Sequence, residues 1–269
     1  MVSFTVDRSC GEKLMSDKIR QKIALEEARK KLPSHLDNVA VILSGGMDSS
    51  IVTMLLANQY GPEKVFALTF NYGQKQAEEC NKAKELCREL GIAHKQLEIG
   101  YFGTLVQPIS ANISGTDIDM PDIKEVLGDP QPVTYVPFRN MMLLSNACAF
   151  AEVVKAEFIF CGLQVHDEYG YWDTSQAFVN SLNNVAALNR TFKTQIIAPF
   201  SLLSKTEELK ICKELGTFNL LKHTLTCYDP DSESRSCGRC PSCSERIKAF
   251  MNIGEPDPIQ YQKEINWNV

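Results

Sequence analysis

Short apolar runs alternate with longer stretches of helical spacing along most of the chain. Residues 39–43, Val-Ala-Val-Ile-Leu, hold no polar position, the pattern of a strand covered on both faces. Apolar Ile51, Val52, Met54, Leu55 and Leu56 then mark a helix. Residues 65–70 read as a second strand, and residues 75–90, rich in Ala, Glu, Lys and Leu, as a helix stopped by Gly91. Residues 95–99 complete this half as a third strand. After a gap the rhythm resumes: helix at 141–154, strand at 158–161, helix at 177–188, strand at 195–198, and helix at 205–215 stopped by Gly216. Strand–helix alternation predicts an α/β protein with a parallel sheet covered by helices on both faces.

The gap itself, residues 100–134, is rich in Gly, Pro, Asp and Ser. A loop of that length inside a domain is usually a lid, a binding loop or disorder. Upstream, residues 10–31 are charged with interspersed Leu14, Ile19, Ile23 and Leu25, and Pro33 ends the helix they predict. The expected organisation is a helical extension (1–36), an α/β core (37–205), a small helical C-terminal lobe (206–253) and a tail (254–269).

Composition narrows the function classes. The 269 residues are 44% hydrophobic and 23% charged, ordinary for a soluble chain. No apolar run nears the roughly 20 residues of a membrane span, and no signal core opens the chain, so a cytoplasmic protein is expected. A net charge of -5 gives bulk electrostatics no reason to favour nucleic acid.

Ser44-Gly45-Gly46-Met47-Asp48-Ser49-Ser50 joins the first strand to its helix, at the sheet edge where ligands bind. Two glycines let the backbone approach a bulky anion, and the N–H groups of the first helical turn face it. Hydroxyls of Ser44, Ser49 and Ser50 add donors. Asp48 suits such a site if Mg²⁺ bridges it to phosphate or if it caps the helix. An ordinary Gly turn with Ser and Asp caps is the bland alternative. A Walker loop is excluded because no Gly-Lys-Ser/Thr follows, and a dinucleotide fingerprint because the third Gly is missing.

The 10 cysteines are unevenly spread. Cys227, then Cys237, Cys240 and Cys243 after gaps of nine, two and two residues, offer four thiolates, the donor set of a closed, structural zinc site. Arg235, Arg239 and Arg246 are placed to offset its negative charge. A redox Cys-x-x-Cys pair and an iron–sulfur cluster are the alternatives. Cys10, Cys80, Cys87, Cys148, Cys161 and Cys212 read as core or surface thiols.

The glycine string resembles the pyrophosphate loop of the N-type ATP pyrophosphatases, which implies ATP-dependent adenylation in a Rossmann-like (adenine nucleotide alpha hydrolase-like) fold. Together with the four cysteines it resembles the 7-cyano-7-deazaguanine synthase family. Further matches are Tyr72-Gly73-Gln74, Tyr135-Val136-Pro137 before Arg139-Asn140, Tyr169-Gly170-Tyr171 before Asp173, Pro199-Phe200 before Ser204-Lys205-Thr206-Glu207, and Thr226-Cys227-Tyr228. The resemblance covers about residues 38–251. It implies a ligase that converts 7-carboxy-7-deazaguanine and ammonia, with Mg²⁺-ATP, to the nitrile used in queuosine biosynthesis. Leu43, Ser44, Gly45, Gly46, Met47, Asp48, Ser49, Ser50, Tyr72 and Gln74 would bind ATP. Asp48, Arg139 and Lys205 would be catalytic. Arg139, Asn140, Tyr171 and Asp173 would bind the second substrate, and Cys227, Cys237, Cys240 and Cys243 one Zn²⁺. A homodimer is compatible with this reading.

The chain departs from the family pattern at Asn71 (usually Asp), at Lys75-Gln76 (a basic pair), at Phe138 (Gly) and across residues 172–177. There the family's Pro-Asp-Cys-Arg-Pro-Glu becomes Trp172-Asp173-Thr174-Ser175-Gln176-Ala177, without its Cys, Arg and Glu. These changes leave the ATP loop intact and bear on the second substrate. An enzyme that activates another carboxylate, or joins a deazaguanine to another molecule, is the runner-up. A zinc-knuckle binding module without catalysis is the reading of another class.

Overall fold

The computed structural model describes residues 8–121, 123–126, 129, 131–164 and 171–267. The chain opens with α1 (Arg8–Lys30), then runs β1 (Val39–Ile42), α2 (Met47–Tyr60), β2 (Val65–Asn71), α3 (Glu79–Leu90), β3 (Ala93–Glu98) and α4 (Gly100–Val106). The single turn α5 (Ile123–Val126) precedes α6 (Arg139–Val154), β4 (Phe158–Phe160), α7 (Gln176–Ala186), β5 (Gln195–Ile197), α8 (Lys205–Glu214) and α9 (Pro241–Ile253). The strands form one sheet in the order β3-β2-β1-β4-β5. All four pairings are parallel, with Val39 opposite both Val65 and Phe158.

Strand periodicity divides the core. Val39 and Val41 of β1 face one cluster, which α1, α2, α3, α8 and α9 cover, while Ala40 faces the other, which α4, α6 and α7 cover. Covering both faces explains why β1 carries no polar residue. The predicted N-terminal helix belongs to this core, since its Ala24, Leu25 and Ala28 join Leu209, Ile211 and Phe250 in one cluster. None of the described helices is long and apolar enough to cross a membrane.

Some predicted boundaries move. The helix expected from residue 75 begins at Glu79, because Gln74 bridges to Ile113 and the Lys75 N–H donates to the Asn112 carbonyl at 2.9 Å. These long-range bonds hold residues 75–78 in turns. The predicted loop 100–134 contains α4, whose helical signal Gly100 and Gly103 obscure. Gly103 is required by packing: a Cβ there would lie 2.0 Å from the Tyr72 carbonyl oxygen. The third strand starts two residues early, with Ala93 opposite Phe66.

Candidate active site

The strand order reverses between β1 and β4, so a crevice opens at their carboxyl ends. The glycine loop fills the β1 side. Gly45 has φ +92°, and a Cβ on it would meet the Glu79 carbonyl oxygen at 2.0 Å, so both conformation and space demand glycine. From β4, Gly162 packs against the first turn of α2, where a Cβ would lie 2.7 Å from the Ser49 nitrogen. The loop's shape is held from within: Ser44 Oγ and Ser49 Oγ lie 2.9 Å apart, and Ser44 Oγ accepts from the Gly46 N–H at 3.2 Å. Ser50 Oγ donates to the Gly46 carbonyl at 2.7 Å. No side chain caps α2 from Gly46, so the expected capping role of Asp48 is not found.

Asp48 instead points across the crevice. Lys205 Nζ donates to Asp48 Oδ2 at 3.0 Å and to Gln164 Oε1 at 3.0 Å, and lies 3.5 Å from Glu245 Oε2. Ser204 and Glu207 form a capping box, which sets the first turn of α8 and with it the root of the Lys205 side chain. Behind them Glu208 is fully buried and bonded to the Gln164 amide. Burial, then the neighbouring Asp48 charge, hold the Glu208 carboxyl well above the usual carboxylate range. Asp48 Oδ1 is buried and accepts from no nitrogen or hydroxyl donor among the described residues, while the Glu208 carboxyl is a hydrogen-bonding neighbour of the Asp48 side chain. An acceptor of that kind beside the loop fits a hard cation such as Mg²⁺.

The opposite wall comes from α6. Arg139 sits on its first turn, facing the Tyr72 hydroxyl, with Asp173 and Tyr228 near it. Burial disfavours the charge, but Tyr72 and Asp173 outweigh it, so the guanidinium stays charged. Asp173 lies behind this wall, 3% exposed, where its Oδ2 accepts from the Asn140 N–H at 3.3 Å. Burial raises the Asp173 carboxyl, with Arg139 pulling the other way. Two of the sequence departures meet here: Phe138 and Trp172 pack edge to face with centroids 5.3 Å apart. Phe138 is left-handed (φ +53°) and exposed, a conformation that is strained for a bulky side chain. Tyr135 ties the pair together, its hydroxyl accepting from Trp172 Nε1 at 2.8 Å and from the Phe138 N–H at 3.2 Å. Tyr171 stacks on Tyr135 at 5.8 Å. Tyr169 and Gly170, which carry part of the family resemblance, lie outside the described residues.

The structure gathers Ser44, Gly46, Asp48, Ser49, Tyr72, Arg139, Asn140, Tyr171 and Lys205 around one cleft of about 220 Å³. Leu43, Gly45, Met47, Ser50 and Asp173 stand behind its surface. So does Gln74, expected near the nucleotide. Its side chain bonds the Tyr72 N–H (2.8 Å), the Phe70 carbonyl (3.1 Å) and Glu79 Oε1 (3.0 Å), a buttress for the turn after β2. Glu79, Gln76, Gln164, Thr226, Tyr228 and Glu245 also line the cleft. Sequence reasoning missed them because no local motif marks them, apart from the Thr226-Cys227-Tyr228 match.

The four motif cysteines are buried, with their sulfurs within 4.8 Å of one another. The Cys237 N–H points at Cys227 Sγ (3.2 Å), that of Cys240 at Cys237 Sγ (3.3 Å), and that of Cys243 at Cys240 Sγ (3.4 Å). Backbone donors aimed at clustered sulfurs favour thiolates, so the donor set fits a tetrahedral metal. The arginines expected to balance its charge also pair with carboxylates, and Arg246 in addition feels the Cys243 charge. Arg235 pairs with Asp231 at 2.7 Å and Arg239 with Asp229 at 3.2 Å. Arg246 is 1% exposed and grips Asp257 at 2.6 and 2.8 Å. It also donates to Thr224 and Thr226, and Thr226 Oγ1 accepts from the Met47 N–H at 3.3 Å. The cysteine lobe thus braces the glycine loop. Arg246→Met strands the buried Asp257 charge and is expected to cost about 3–5 kcal/mol, read as a lower midpoint in urea denaturation.

Comparison with known proteins gives a consistent result. Residues 38–254 match the family described as "Queuosine biosynthesis protein QueC". The chain is 38% identical over 227 residues to the 7-cyano-7-deazaguanine synthase of Marinomonas sp. (strain MWYL1), covering 84% of this chain and 99% of that one. It is 36% identical over 230 residues to that of Rickettsia felis, covering 84% and 100%. Among solved structures it is similar to the U34-tRNA thiolase NcsA of Methanococcus maripaludis, with TM-score 0.49, 19% identity, and 75% and 65% of the two chains covered. It is also similar to the NH3-dependent NAD synthetase of Campylobacter jejuni, with TM-score 0.43, 15% identity, and 75% and 76% covered.

Proposed function

Because the chain belongs to the queuosine biosynthesis protein QueC family, we propose that it uses ATP and ammonia to convert 7-carboxy-7-deazaguanine to 7-cyano-7-deazaguanine. The observation that carries this reading is the convergence on one cleft of the glycine loop and two cations rooted on different helices, Lys205 and Arg139. A carboxylate oxygen leaves badly, and adenylation converts it to a phosphate-type leaving group. The first turn of α2 would hold the phosphates, where N–H groups and helix dipole favour negative charge. Lys205 would neutralise charge on the departing pyrophosphate. Arg139, kept charged by Tyr72 and Asp173, would receive the substrate carboxylate or the α-phosphate. Asp48 would hold Mg²⁺, which offsets phosphate charge when bound. Cys227, Cys237, Cys240 and Cys243 would hold Zn²⁺ as a structural ion. Asp173 acts from behind by orienting Asn140 and Arg139. Asn140 and Tyr171 remain candidates for contact with the base.

The meeting of Phe138 and Trp172, each next in sequence to a cleft-lining residue (Arg139 and Tyr171), favours a second reading, in which the activated carboxylate belongs to a different or larger molecule. One experiment tests both. Purified protein is incubated with Mg²⁺-ATP, ammonium and 7-carboxy-7-deazaguanine, and the products are weighed by mass spectrometry. The nitrile mass is expected. ATP turnover indifferent to that acid would overturn the first reading and support the second.

A further inference from the structure

Among the described residues three carboxylates line the cleft, and two of them, Asp48 and Glu245, face the Lys205 ammonium. The third, Glu79, lies on the other side of the glycine loop. Its main chain packs against Gly45, and its side chain is held between Gln74 and Arg139. Gln74 Nε2 donates to Oε1 at 3.0 Å. Three residues earlier, Gln76 also lines the cleft, 5% exposed, and its buried Oε1 has no donor among the described residues. The backbone bond from Glu79 N–H to the Gln76 carbonyl, 2.9 Å, fixes the two residues in one turn.

A buried acceptor without a donor and a cleft-lining carboxyl group in the same turn, with the glycine loop and Arg139 lining the same cleft, suit a small ligand that carries N–H groups. We infer that Gln76 and Glu79 form the subsite for the attacking amine, with Gln76 Oε1 accepting one N–H and the Glu79 carboxylate taking the proton released as the amide forms. This rests on the carboxylate-activating reading above. The ammonia nitrogen bonds to the carbonyl carbon of the acyl adenylate, the carbon–oxygen bond to AMP breaks, AMP departs with the bonding pair, and one N–H proton passes to Glu79. Glu79 then discharges that proton to solvent through the cleft.

The surroundings suit the role. Burial pushes the Glu79 carboxyl up to about 8, against the lowering pull of the Gln74 amide and Arg139. Tyr72, Cys80 and Arg139 are the other titratable or charged groups facing it. A base poised near neutrality accepts a proton and returns it readily. Gln76 is also one of the positions where the sequence leaves the family pattern, so its open oxygen belongs to this chain's own chemistry.

The test separates activation from amide formation. Activation is read as pyrophosphate exchange into ATP that depends on 7-carboxy-7-deazaguanine, without ammonium. Amide formation is read by mass spectrometry at fixed free ammonia from pH 6 to 9.5. Glu79→Gln is expected to slow amide formation by about a hundredfold or more, to slow exchange far less, and to erase the rise in rate that ends near pH 8 in the unmodified protein. Glu79→Asp, which keeps the carboxylate, is expected to recover part of the amide rate and the pH limb. Gln76→Leu is expected to raise the ammonium KM about tenfold or more. Equal losses of exchange and amide in Glu79→Gln, or an undiminished amide rate, would overturn the role of Glu79, and an unchanged ammonium KM in Gln76→Leu would overturn the subsite. Absence of exchange in the unmodified protein would instead bring down the proposed reaction itself.

Discussion

Asp48→Ala is expected to lower ATP turnover by about a hundred- to a thousandfold, the scale seen when one preorganised charge-stabilising group is removed from a reaction site. Asp48 lies on the first turn of α2, its Oδ2 held by Lys205 at 3.0 Å and its Oδ1 buried beside the Glu208 carboxyl. The substitution takes away the acceptor proposed for Mg²⁺ and releases Lys205 toward Glu245. Stability is expected to change little, by about 1 kcal/mol, because Lys205 keeps Gln164 and Glu245, and Glu208 loses a repelling charge along with a hydrogen-bond partner. Initial rates of AMP and pyrophosphate release, with thermal melting as a control, check both parts. Turnover within tenfold of the unmodified protein would remove Asp48 from the reaction.

Cys240→Ser is expected to have the largest effect on stability. Cys240 is one of four clustered thiols and also the N-cap of α9, its side chain accepting from the Cys243 N–H. Serine keeps the cap and removes the thiolate, so metal loss is isolated from capping. Structural zinc binding is folding free energy, and losing a ligand is expected to cost about 4 kcal/mol or more. For a chain of this size that is about 8–16 °C in melting temperature. Turnover should fall as well, because Thr226, Tyr228 and Glu245 wall the cleft from this lobe and Thr226 accepts from the Met47 N–H. Metal content by elemental analysis, set beside the melting curve, decides the matter: zinc in the unmodified protein and none in the variant. Iron in the unmodified protein would replace the zinc assignment.

The two strongest local patterns were legible because their physics is local. The run Val39-Ala40-Val41-Ile42-Leu43 has no polar position because helices cover both of its faces, and the β1 pairings agree. Two-residue gaps between Cys237, Cys240 and Cys243 place their sulfurs together within a single turn and the start of α9. Less was legible where long-range contacts override propensity. Residues 75–78 are helix formers, yet strand-like bonds from Gln74 and Lys75 to residues 112–113 withhold them from α3. Gly103 reads as a breaker, but it lets α4 press against the Tyr72 carbonyl.

By itself the sequence determined a parallel α/β sheet, a glycine loop at its edge and four cysteines able to share an ion, since each follows from periodicity or spacing within a few residues. Only the tertiary structure decided which side chains face one another across the cleft. Asp48, Lys205 and Glu245 come from three helices, and Arg139 from a fourth. Gln74 stands behind the cleft and Glu79 lines it although only four residues part them, because burial and hydrogen-bond satisfaction are settled by neighbours distant in the chain.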